Sequence, residues 1–233
     1  MAGLGKSYWG EVIEVLRTII PVYDRVNYVI SLGKANQYRR KGIQDHICPN
    51  DIVLDAGSGY GNMSKIALKE SRGLARIVLY DPISEMLKSV SRFLNPKLNQ
   101  YLFSGVFEFM PFKNNTFDVV MCGYSLRDSI ELKAAVAEIH RVLKQGGRLI
   151  IVDIGKPDNF ILRAGVTFYL RYILGILAFA AAGRSGLKFK TLYGTYLRWP
   201  QNSDLNILLS QRFRKIEYIT KLLGGAIIVA AYK

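Results

Sequence analysis

Short apolar runs alternate along the chain with segments in which apolar residues recur every three or four positions. The apolar runs predict five strands: DIVLD (51–55), RIVLYD (76–81), QYLFSG (100–105), FDVVMCG (117–123) and RLIIVDI (148–154). Helical periodicity lies between them, most clearly over 63–72, 82–94 and 130–144. Continuous apolar strands separated by helices indicate a parallel sheet that is buried on both faces.

The end of the chain has a different pattern. After a predicted helix near 203–212, RKIEYITKL (214–222) and AIIVAAYK (226–233) predict two strands joined by a tight turn. No internal repeat or low-complexity linker divides the sequence, so we expect a single domain over 1–233. Within it we expect an N-terminal helical cap over 1–50 and an insertion over 157–200.

The first strand leads into DAGSGYG, a glycine-rich turn between a strand and a helix. Gly57 and Gly59 let the backbone approach a ligand at the carboxyl end of a parallel strand, where open sheets bind ligands. Asp81 ends the second strand, where an acid accepts the ribose hydroxyls of a nucleoside cofactor. These features predict a nucleoside cofactor, either NAD or S-adenosylmethionine.

The glycine spacing separates the two cofactors. A pyrophosphate-binding fingerprint is GxGxxG, whereas this loop has G-x-G-x-G with Asp55 two residues ahead. Asp55 would repel a pyrophosphate but can orient the amino group of a methionine moiety. Together with the C-terminal hairpin, this favours S-adenosylmethionine.

These motifs resemble those of a known family. Asp55 to Gly61 is similar to motif I of class I S-adenosylmethionine-dependent methyltransferases. The segments FEFMPFKNNTFDVVMCGYSLRD (107–128) and EIHRVLKQGGRLIIVDIGKP (138–157) resemble the UbiE/COQ5 (MenG) family of quinone C-methyltransferases, as do YDRVNYVISLG (23–33) and GGAIIVAAYK (224–233). The resemblance implies a Rossmann-like α/β fold: a mostly parallel seven-stranded sheet with a C-terminal antiparallel hairpin and helices on both faces.

The resemblance also implies roles for individual residues. The cofactor positions are Asp55, Gly57, Gly59, Tyr60, Asp81, Val106, Phe107 and Gly123. Val106 departs from the family pattern, because a valine side chain cannot hydrogen-bond the adenine amino group. The adenine contact is then expected from main chain, water or packing, unless the alignment slips by one residue.

Three further residues are expected at the reaction centre. Arg127, in SLRD, occupies the position of a functional arginine in the family, and we expect it to polarise the ring oxygens of the acceptor, directly or through a water. The alternative is a surface arginine paired with Asp128. Tyr23 and Asp24 lie on a segment expected to cap the cofactor, where the alternative is a helix start with a core tyrosine.

The composition narrows the class of protein. The 233 residues carry a net charge of +14 and are 50% hydrophobic, which excludes a disordered chain. Two cysteines, Cys48 and Cys122, fit a reducing compartment. Charged residues interrupt the N-terminal apolar stretch, so we do not expect a signal peptide, and a cytoplasmic protein is predicted.

Part of the positive charge is concentrated in the insertion. Between Phe160 and Pro200 there are six Lys or Arg residues, no Asp or Glu, and nine of the 27 aromatic residues. The longest apolar run there, 172–183, is twelve residues and too short to span a bilayer. We expect a helix that lies in a membrane interface or lines an apolar tunnel, with Arg184, Lys188, Lys190 and Arg198 near anionic headgroups. A buried helix over the sheet, or a homodimer contact, remains the alternative.

We therefore expect an S-adenosylmethionine-dependent C-methyltransferase that acts on a prenylated quinol precursor of a menaquinone- or ubiquinone-type quinone. We expect it to bind peripherally to the inner face of a membrane and to need no metal. The alternatives are a tRNA or rRNA methyltransferase, another small-molecule or lipid methyltransferase, and a catalytically idle cofactor-binding protein. The residues CGYS after the fourth strand lack the signature of base amino-group methyltransferases, which counts against nucleic acid.

Overall fold

The computed structural model describes residues 3–90 and 100–233. A seven-stranded sheet forms its centre, in the order β3-β2-β1-β4-β5-β7-β6. The strands are β1 (Ile52–Ala56), β2 (Arg76–Asp81), β3 (Gln100–Ser104), β4 (Phe117–Gly123), β5 (Leu143–Ile154), β6 (Lys215–Lys221) and β7 (Ala226–Tyr232). The first five are parallel, and β7 is antiparallel to both β5 and β6. The predicted α/β class with its C-terminal hairpin is confirmed.

Ten α-helices are assigned within the described residues. They are α1 (Lys6–Ile19), α2 (Tyr23–Ile30), α3 (Ala35–Ile43), α4 (Asn62–Glu70), α5 (Ser84–Val90), α6 (Leu132–Val142), α7 (Phe160–Phe168), α8 (Leu174–Ala182), α9 (Thr191–Arg198) and α10 (Asn202–Ser210). The end of the helix predicted over 82–94 lies outside the described residues. β5 begins at Leu143, earlier than predicted, because Leu143 already pairs with Phe117 before the register between β4 and β5 shifts.

The alternation of side chains along the central strands builds a layer on each face of the sheet. Leu54 and Val120 belong to the buried cluster that includes residues of α6 and α10. Val53 and Val119, their neighbours in the same register, belong to the cluster that includes residues of α3 and α4. Burial on both faces explains why these strands read as continuous apolar runs.

The N-terminal helices have different roles. α3 packs on the sheet so closely that a Cβ at Gly42 would approach Val152 Cγ2 to 2.8 Å. α1 and α2 lie instead over the carboxyl ends of the strands, where Ile13 of α1 packs against Ile83 and Met86. Two of these three helices therefore cover the ligand-binding edge, and the third is part of the layer on one face.

The insertion is helical from Phe160 to Ala182, because a π-helical turn (Tyr169–Ile173) joins α7 to α8. Leu170, Leu174 and Ala178 are buried in a cluster with Val26 of α2. By length and composition alone, Phe160–Arg198 is the one helical stretch of the described chain that could cross a membrane, and 28% of its most apolar window is buried. The helix continues through Arg171 and is therefore longer than the apolar run over 172–183, which by itself is too short to span a bilayer.

Candidate active site

The glycine loop after β1 forms the floor of a cleft at the carboxyl edge of the sheet. Gly57, Gly59 and Gly61 have φ values of 71°, 50° and 68°, a region that side-chain-bearing residues rarely adopt. A Cβ on Gly57 would also collide with the Ser125 side chain. The loop therefore needs glycine both for its conformation and for the close approach of the segment after β4.

Asp55 presents an unsatisfied carboxylate oxygen in this cleft. Its Oδ2 accepts hydrogen bonds from the Ser64 backbone N–H at 3.0 Å and from the Ser64 hydroxyl at 2.6 Å. Its Oδ1 is buried without a partner, and the residue lines the cleft. Burial raises the pKa of Asp55 to about 6, although the bonds from Ser64 oppose the shift. A buried anionic oxygen without a donor suits an ammonium group of a ligand.

Asp81, at the end of β2, is oriented by the backbone. The Gly59 N–H donates to its Oδ2 and the Ile83 N–H donates to its Oδ1, both at 2.8 Å. Burial raises the pKa of Asp81 to about 6, against the effect of these two bonds. Each oxygen keeps a lone pair for a further donor, so the carboxylate can accept two neighbouring hydroxyls.

All eight residues predicted to bind the cofactor line this one cleft: Asp55, Gly57, Gly59, Tyr60, Asp81, Val106, Phe107 and Gly123. Val106 contributes an apolar wall, and its carbonyl accepts a hydrogen bond from the Tyr80 hydroxyl at 2.9 Å. That carbonyl is therefore already engaged by the protein.

α1 covers the cleft from the solvent side. Trp9, Ile13 and Leu16 line the cleft from this helix. The Tyr60 hydroxyl donates to the Ile20 carbonyl at 2.6 Å, which joins the glycine loop to the end of the cover. The sequence suggested a capping segment but not which side chains would face the cofactor.

A second cavity, mostly apolar, lies beside the cleft. It has a volume of about 400 Å³ and is bounded by α2, α3, α7, the π-helical turn and the β6–β7 turn. Its apolar lining includes Ile30, Leu32, Tyr38, Ile154, Ile161, Leu162, Val166, Leu170, Leu174, Leu192, Leu222 and Leu223. Its size is typical of small-molecule sites. We call it the apolar cavity.

Arg39 and Tyr124 line both the cofactor cleft and the apolar cavity. The Arg39 guanidinium lies 4.9 Å from the centre of the Tyr124 ring and donates to Asn36 Oδ1 at 2.8 Å, while its buried Nε has no partner. Tyr124 has a φ of 62°, a strained conformation for a tyrosine, and such strain clusters at functional sites. The two cavities therefore meet at a cation and an aromatic ring, neither of which was singled out from the sequence.

Arg127 lines the apolar cavity but is not the surface arginine of the alternative interpretation. It is buried, and its Nη1 donates to Asp153 Oδ1 at 2.6 Å. Asp128 is a second, more distant partner, 3.6 Å from Nη2. Asp153 was missed, although it is the last residue but one of β5, close to the carboxyl edge at which Asp81 ends β2, and that placement was a usable signal.

Asp128 lines the cofactor cleft, as does Tyr23. Its Oδ1 is buried without a hydrogen-bond partner. Burial raises the pKa of Asp128 to about 6, partly opposed by Arg127. A small third cavity is bounded by Tyr23, Arg127 and Asp128 together. The structure thus brings a tyrosine, an arginine and a largely buried carboxylate to one point.

Asp24 does not join this group. Its Oδ1 accepts a hydrogen bond from Asn62 Nδ2 at 3.0 Å on the exposed surface, and it is not among the residues that line the three cavities described here. This position ties α2 to the start of α4 and gives Asp24 a structural role. The expectation that it lies at the reaction centre is not supported by its position.

Sequence comparison relates the whole chain to one family of enzymes. The sequence profile of the ubiE/COQ5 methyltransferase family matches residues 3–233. A demethylmenaquinone methyltransferase of Lactiplantibacillus plantarum is 31% identical over 175 residues, which are 73% of this chain and 74% of the relative. Another from Chlorobaculum tepidum is 28% identical over 92% of this chain and 89% of the relative. A Blochmanniella pennsylvanica protein named ubiquinone/menaquinone biosynthesis C-methyltransferase UbiE is 28% identical, over 95% and 89%.

Solved structures show the same fold at lower identity. An S-adenosylmethionine-dependent methyltransferase from Thermotoga maritima, described as a possible histamine N-methyltransferase, has a TM-score of 0.63 at 16% identity, over 95% of this chain and 99% of that one. An S-adenosylmethionine-dependent methyltransferase from Aquifex aeolicus has a TM-score of 0.59 at 14% identity, over 90% and 97%. At these identities the likeness is one of fold.

Proposed function

Because the chain belongs to the ubiE/COQ5 methyltransferase family, we propose that it methylates a ring carbon of a prenylated quinol precursor of a menaquinone- or ubiquinone-type quinone. It is an S-adenosylmethionine-dependent methyltransferase. The observation that carries the proposed acceptor is the apolar cavity, which meets the cofactor cleft at Arg39 and Tyr124. An aromatic ring at that junction has a polar cleft on one side and room for an apolar tail on the other.

The cleft fits S-adenosylmethionine. The unpartnered Oδ1 of Asp55 would hold the ammonium group of the methionine part, and Asp81, oriented by two backbone donors, would hold the ribose hydroxyls. Val106 and Phe107 would pack beside the adenine. When bound, the cofactor supplies an electrophilic methyl group from its sulfonium centre.

Positive charge at the junction activates the acceptor. A ring carbon becomes nucleophilic when a neighbouring hydroxyl loses its proton, so a cation near that oxygen favours the reaction. Arg127 serves this role in our proposal, although Asp153 and Asp128 share its charge. Arg39 is the second cation, and no carboxylate within 4.0 Å pairs with it among the described residues.

Asp128 is the group that we propose takes up the proton lost by the ring carbon after the new carbon–carbon bond has formed. It lies in the cofactor cleft beside Tyr23, and its Oδ1 has no competing donor. A pKa of about 6 leaves it ionised at neutral pH and still basic enough to accept a proton. α1 excludes water from this point by covering the cleft.

The test is methyl transfer from labelled S-adenosylmethionine to a chemically reduced prenylated quinol. Unprenylated hydroquinone and bulk tRNA are the rival acceptors in parallel reactions. We expect transfer to the prenylated quinol, weaker transfer to the unprenylated ring and none to tRNA. Transfer to tRNA alone would establish the nucleic-acid alternative. Cofactor binding in calorimetry with no transfer to any acceptor would favour the idle binding protein.

We further propose that this is a cytoplasmic protein that binds peripherally to an anionic membrane. Arg171, Arg184, Lys188, Lys190 and Arg198 are exposed in the acid-free part of the insertion, 160–200, which supports the proposal. Replacement of Arg184, Lys188 and Lys190 by Gln should weaken binding to phosphatidylglycerol vesicles by about a hundredfold, at roughly 1 kcal/mol per charge. The matched control replaces the exposed Lys69, Arg72 and Arg76, outside the insertion, and should bind more nearly like the wild type. If both triple variants lose vesicle binding equally, the effect depends on net charge and not on the position of the charges in the insertion.

A further inference from the structure

The mouth of the apolar cavity is bordered by exposed apolar side chains from three separate segments. Leu32 follows α2, Ile161 lies at the start of α7, and Leu222 and Leu223 form the turn between β6 and β7. Their exposed fractions are 64%, 75%, 54% and 77%. All four also line the cavity, so its apolar wall continues onto the outer surface. We call these four residues the rim.

Three of the four rim residues have a strained backbone. Leu32, Leu222 and Leu223 have φ values of 52°, 51° and 55°. In this left-handed region a Cβ is disfavoured, and turns normally place Gly or Asn there. Neither the conformation nor the exposure of a leucine contributes to folding at these positions. Because this strain is retained, we expect the leucine side chains to contact a binding partner of the protein.

The apolar surface extends from the rim along the insertion. Phe168, Tyr172, Ile176 and Phe179 are exposed on the helical run that begins at Phe160, at spacings of three or four residues. The opposite side of the same run is buried against α2. At 1.5 Å per residue, the exposed stripe continues for about 30 Å from the rim. Exposed apolar surface of this extent marks an interaction site.

Cations accompany this surface. Lys34 is exposed two residues after Leu32, and Lys221 directly precedes Leu222. Arg171 and Arg184 are exposed on the insertion, which contains no acidic residue between Phe160 and Pro200. An apolar face beside positive side chains is complementary to a bilayer that contains anionic lipids.

We infer that the rim inserts into an anionic bilayer, so that the apolar cavity opens into the lipid and its ligand enters without crossing water. This inference deepens the proposed membrane binding. That the entering ligand is a prenylated quinol rests on the proposed acceptor, whereas the entry of the rim into the bilayer does not. The position of the cavity mouth favours a bilayer over a second copy of the chain, because a protein partner on the rim would close the entrance, while lipid leaves it open to a membrane-dissolved acceptor.

The first test replaces Leu222 and Leu223 by Asn, which tolerates the left-handed conformation. Flotation with phosphatidylcholine–phosphatidylglycerol vesicles should show partitioning reduced by about tenfold or more, because two apolar side chains no longer enter the lipid. The melting temperature should stay the same or rise, since the backbone strain is relieved. The control Ile207→Asn removes an apolar side chain of α10 that is about as exposed as Leu222, and it should bind vesicles like the wild type.

The second test measures depth. Leu223→Trp in the 233-residue chain should add fluorescence that is quenched by lipids carrying bromine on their acyl chains, and the fluorescence added by Ile207→Trp should not be quenched. The inference is overturned if the Leu223→Trp variant shows no added quenching, or if the variant with Asn at both 222 and 223 binds vesicles as the wild type does. It is also overturned if sedimentation shows a homodimer that the Asn substitutions dissociate, because the rim then covers a second copy. Quenching at position 223 without methylation of any quinol would reject the proposed acceptor but still support entry of the rim into the bilayer.

Discussion

Arg127 is held by two carboxylates, so its removal has a structural cost that is separate from catalysis. Arg127→Met leaves Asp153 and Asp128 without their cation, and breaking such a buried pair costs about 3–5 kcal/mol of unfolding free energy. Adding Asp153→Asn removes the stranded charge, so the double variant should regain most of that stability in urea unfolding. Methyl transfer should remain low in both variants. If the double variant is as unstable as Arg127→Met, the loss of stability does not come from the broken ion pair with Asp153.

The proposed base makes a prediction about the pH profile. Asp128→Asn keeps the shape of the side chain but cannot take up a proton, so we expect kcat to fall by about 10²-fold or more. In the wild type, kcat should decline as the pH falls through about 6, because the carboxylate becomes protonated. Steady-state rates across this range should show that the decline is lost in the variant. If kcat of the Asp128→Asn variant declines at low pH as that of the wild type does, another group takes up the proton.

Replacement of Asp55 should change the affinity for S-adenosylmethionine more than it changes the rate of methyl transfer. Asp55→Asn retains an acceptor for Ser64 but removes the negative charge that faces the cleft. A charge-assisted hydrogen bond contributes about 1.5–3 kcal/mol, so the Kd for S-adenosylmethionine should rise by about tenfold to a hundredfold in calorimetry. The wild-type affinity should also weaken as the pH falls below about 6, where Asp55 becomes protonated. Unchanged affinity in the variant would show that the ammonium lies elsewhere.

At the scale of elements, α1 acts as the cover of the cofactor cleft. Tyr60→Phe keeps the ring but removes the hydrogen bond to the Ile20 carbonyl, worth about 0.5–1.5 kcal/mol. We expect the cofactor to dissociate about 2–10 times faster in stopped-flow measurements, because the cover opens more often. Tyr218→Phe is the control, since its buried hydroxyl has no partner and does not line the cleft. Equal dissociation rates in all three proteins would show that the cover does not limit release.

The elements that the sequence predicted well are those with a local signal. Apolar runs identify β1 to β5, and the G-x-G-x-G spacing places Asp55 and Asp81 at one edge, because parallel strands end together there. The pairing of Arg127 with Asp153 depends on how the turn at Leu126–Asp128 packs against β5, which no local pattern specifies. Arg39 reaches the junction only because α3 packs on the sheet.

The structure of the insertion is likewise only partly specified by local sequence patterns. Composition identified an apolar, positively charged segment, but its faces depended on the π-helical turn, which shifts the helical register between α7 and α8. Phe168 and Leu170 belong to the same apolar segment of the sequence, yet Phe168 is exposed and Leu170 is buried. The left-handed leucines of the rim have no sequence signature, since leucine gives no indication of a turn.

At the scale of the whole molecule, three largely buried carboxyl groups link stability to pH. Burial raises the pKa values of Asp55, Asp81 and Asp128 to about 6, whereas the same groups in the unfolded chain have values of about 3.9. Between these values the folded protein binds more protons than the unfolded chain. The stability that these groups contribute is therefore fully present below about pH 4 and is lost as the pH rises through about 6.

This linkage predicts that the cofactor-free enzyme is destabilised by its own binding site at neutral pH. Without cofactor, Asp55→Asn should be more stable than the wild type by about 1–3 kcal/mol at pH 7.5 and about equal to it at pH 4, since one pKa unit corresponds to about 1.4 kcal/mol. S-adenosylmethionine at about 100 times its wild-type Kd should close most of this gap at pH 7.5. It stabilises the wild type by about 2.7 kcal/mol, but a variant with a tenfold to hundredfold higher Kd by only about 0.4–1.4 kcal/mol. Asp81→Asn is the control: its amide NH2 replaces an oxygen that accepts from Gly59 or Ile83, so it should be less stable than the wild type at pH 4 and gain less than Asp55→Asn at pH 7.5. Thermal unfolding of the three proteins, with and without cofactor, measures all of these differences. If the difference in stability between Asp55→Asn and the wild type does not change with pH, the Asp55 charge is already compensated in the free enzyme.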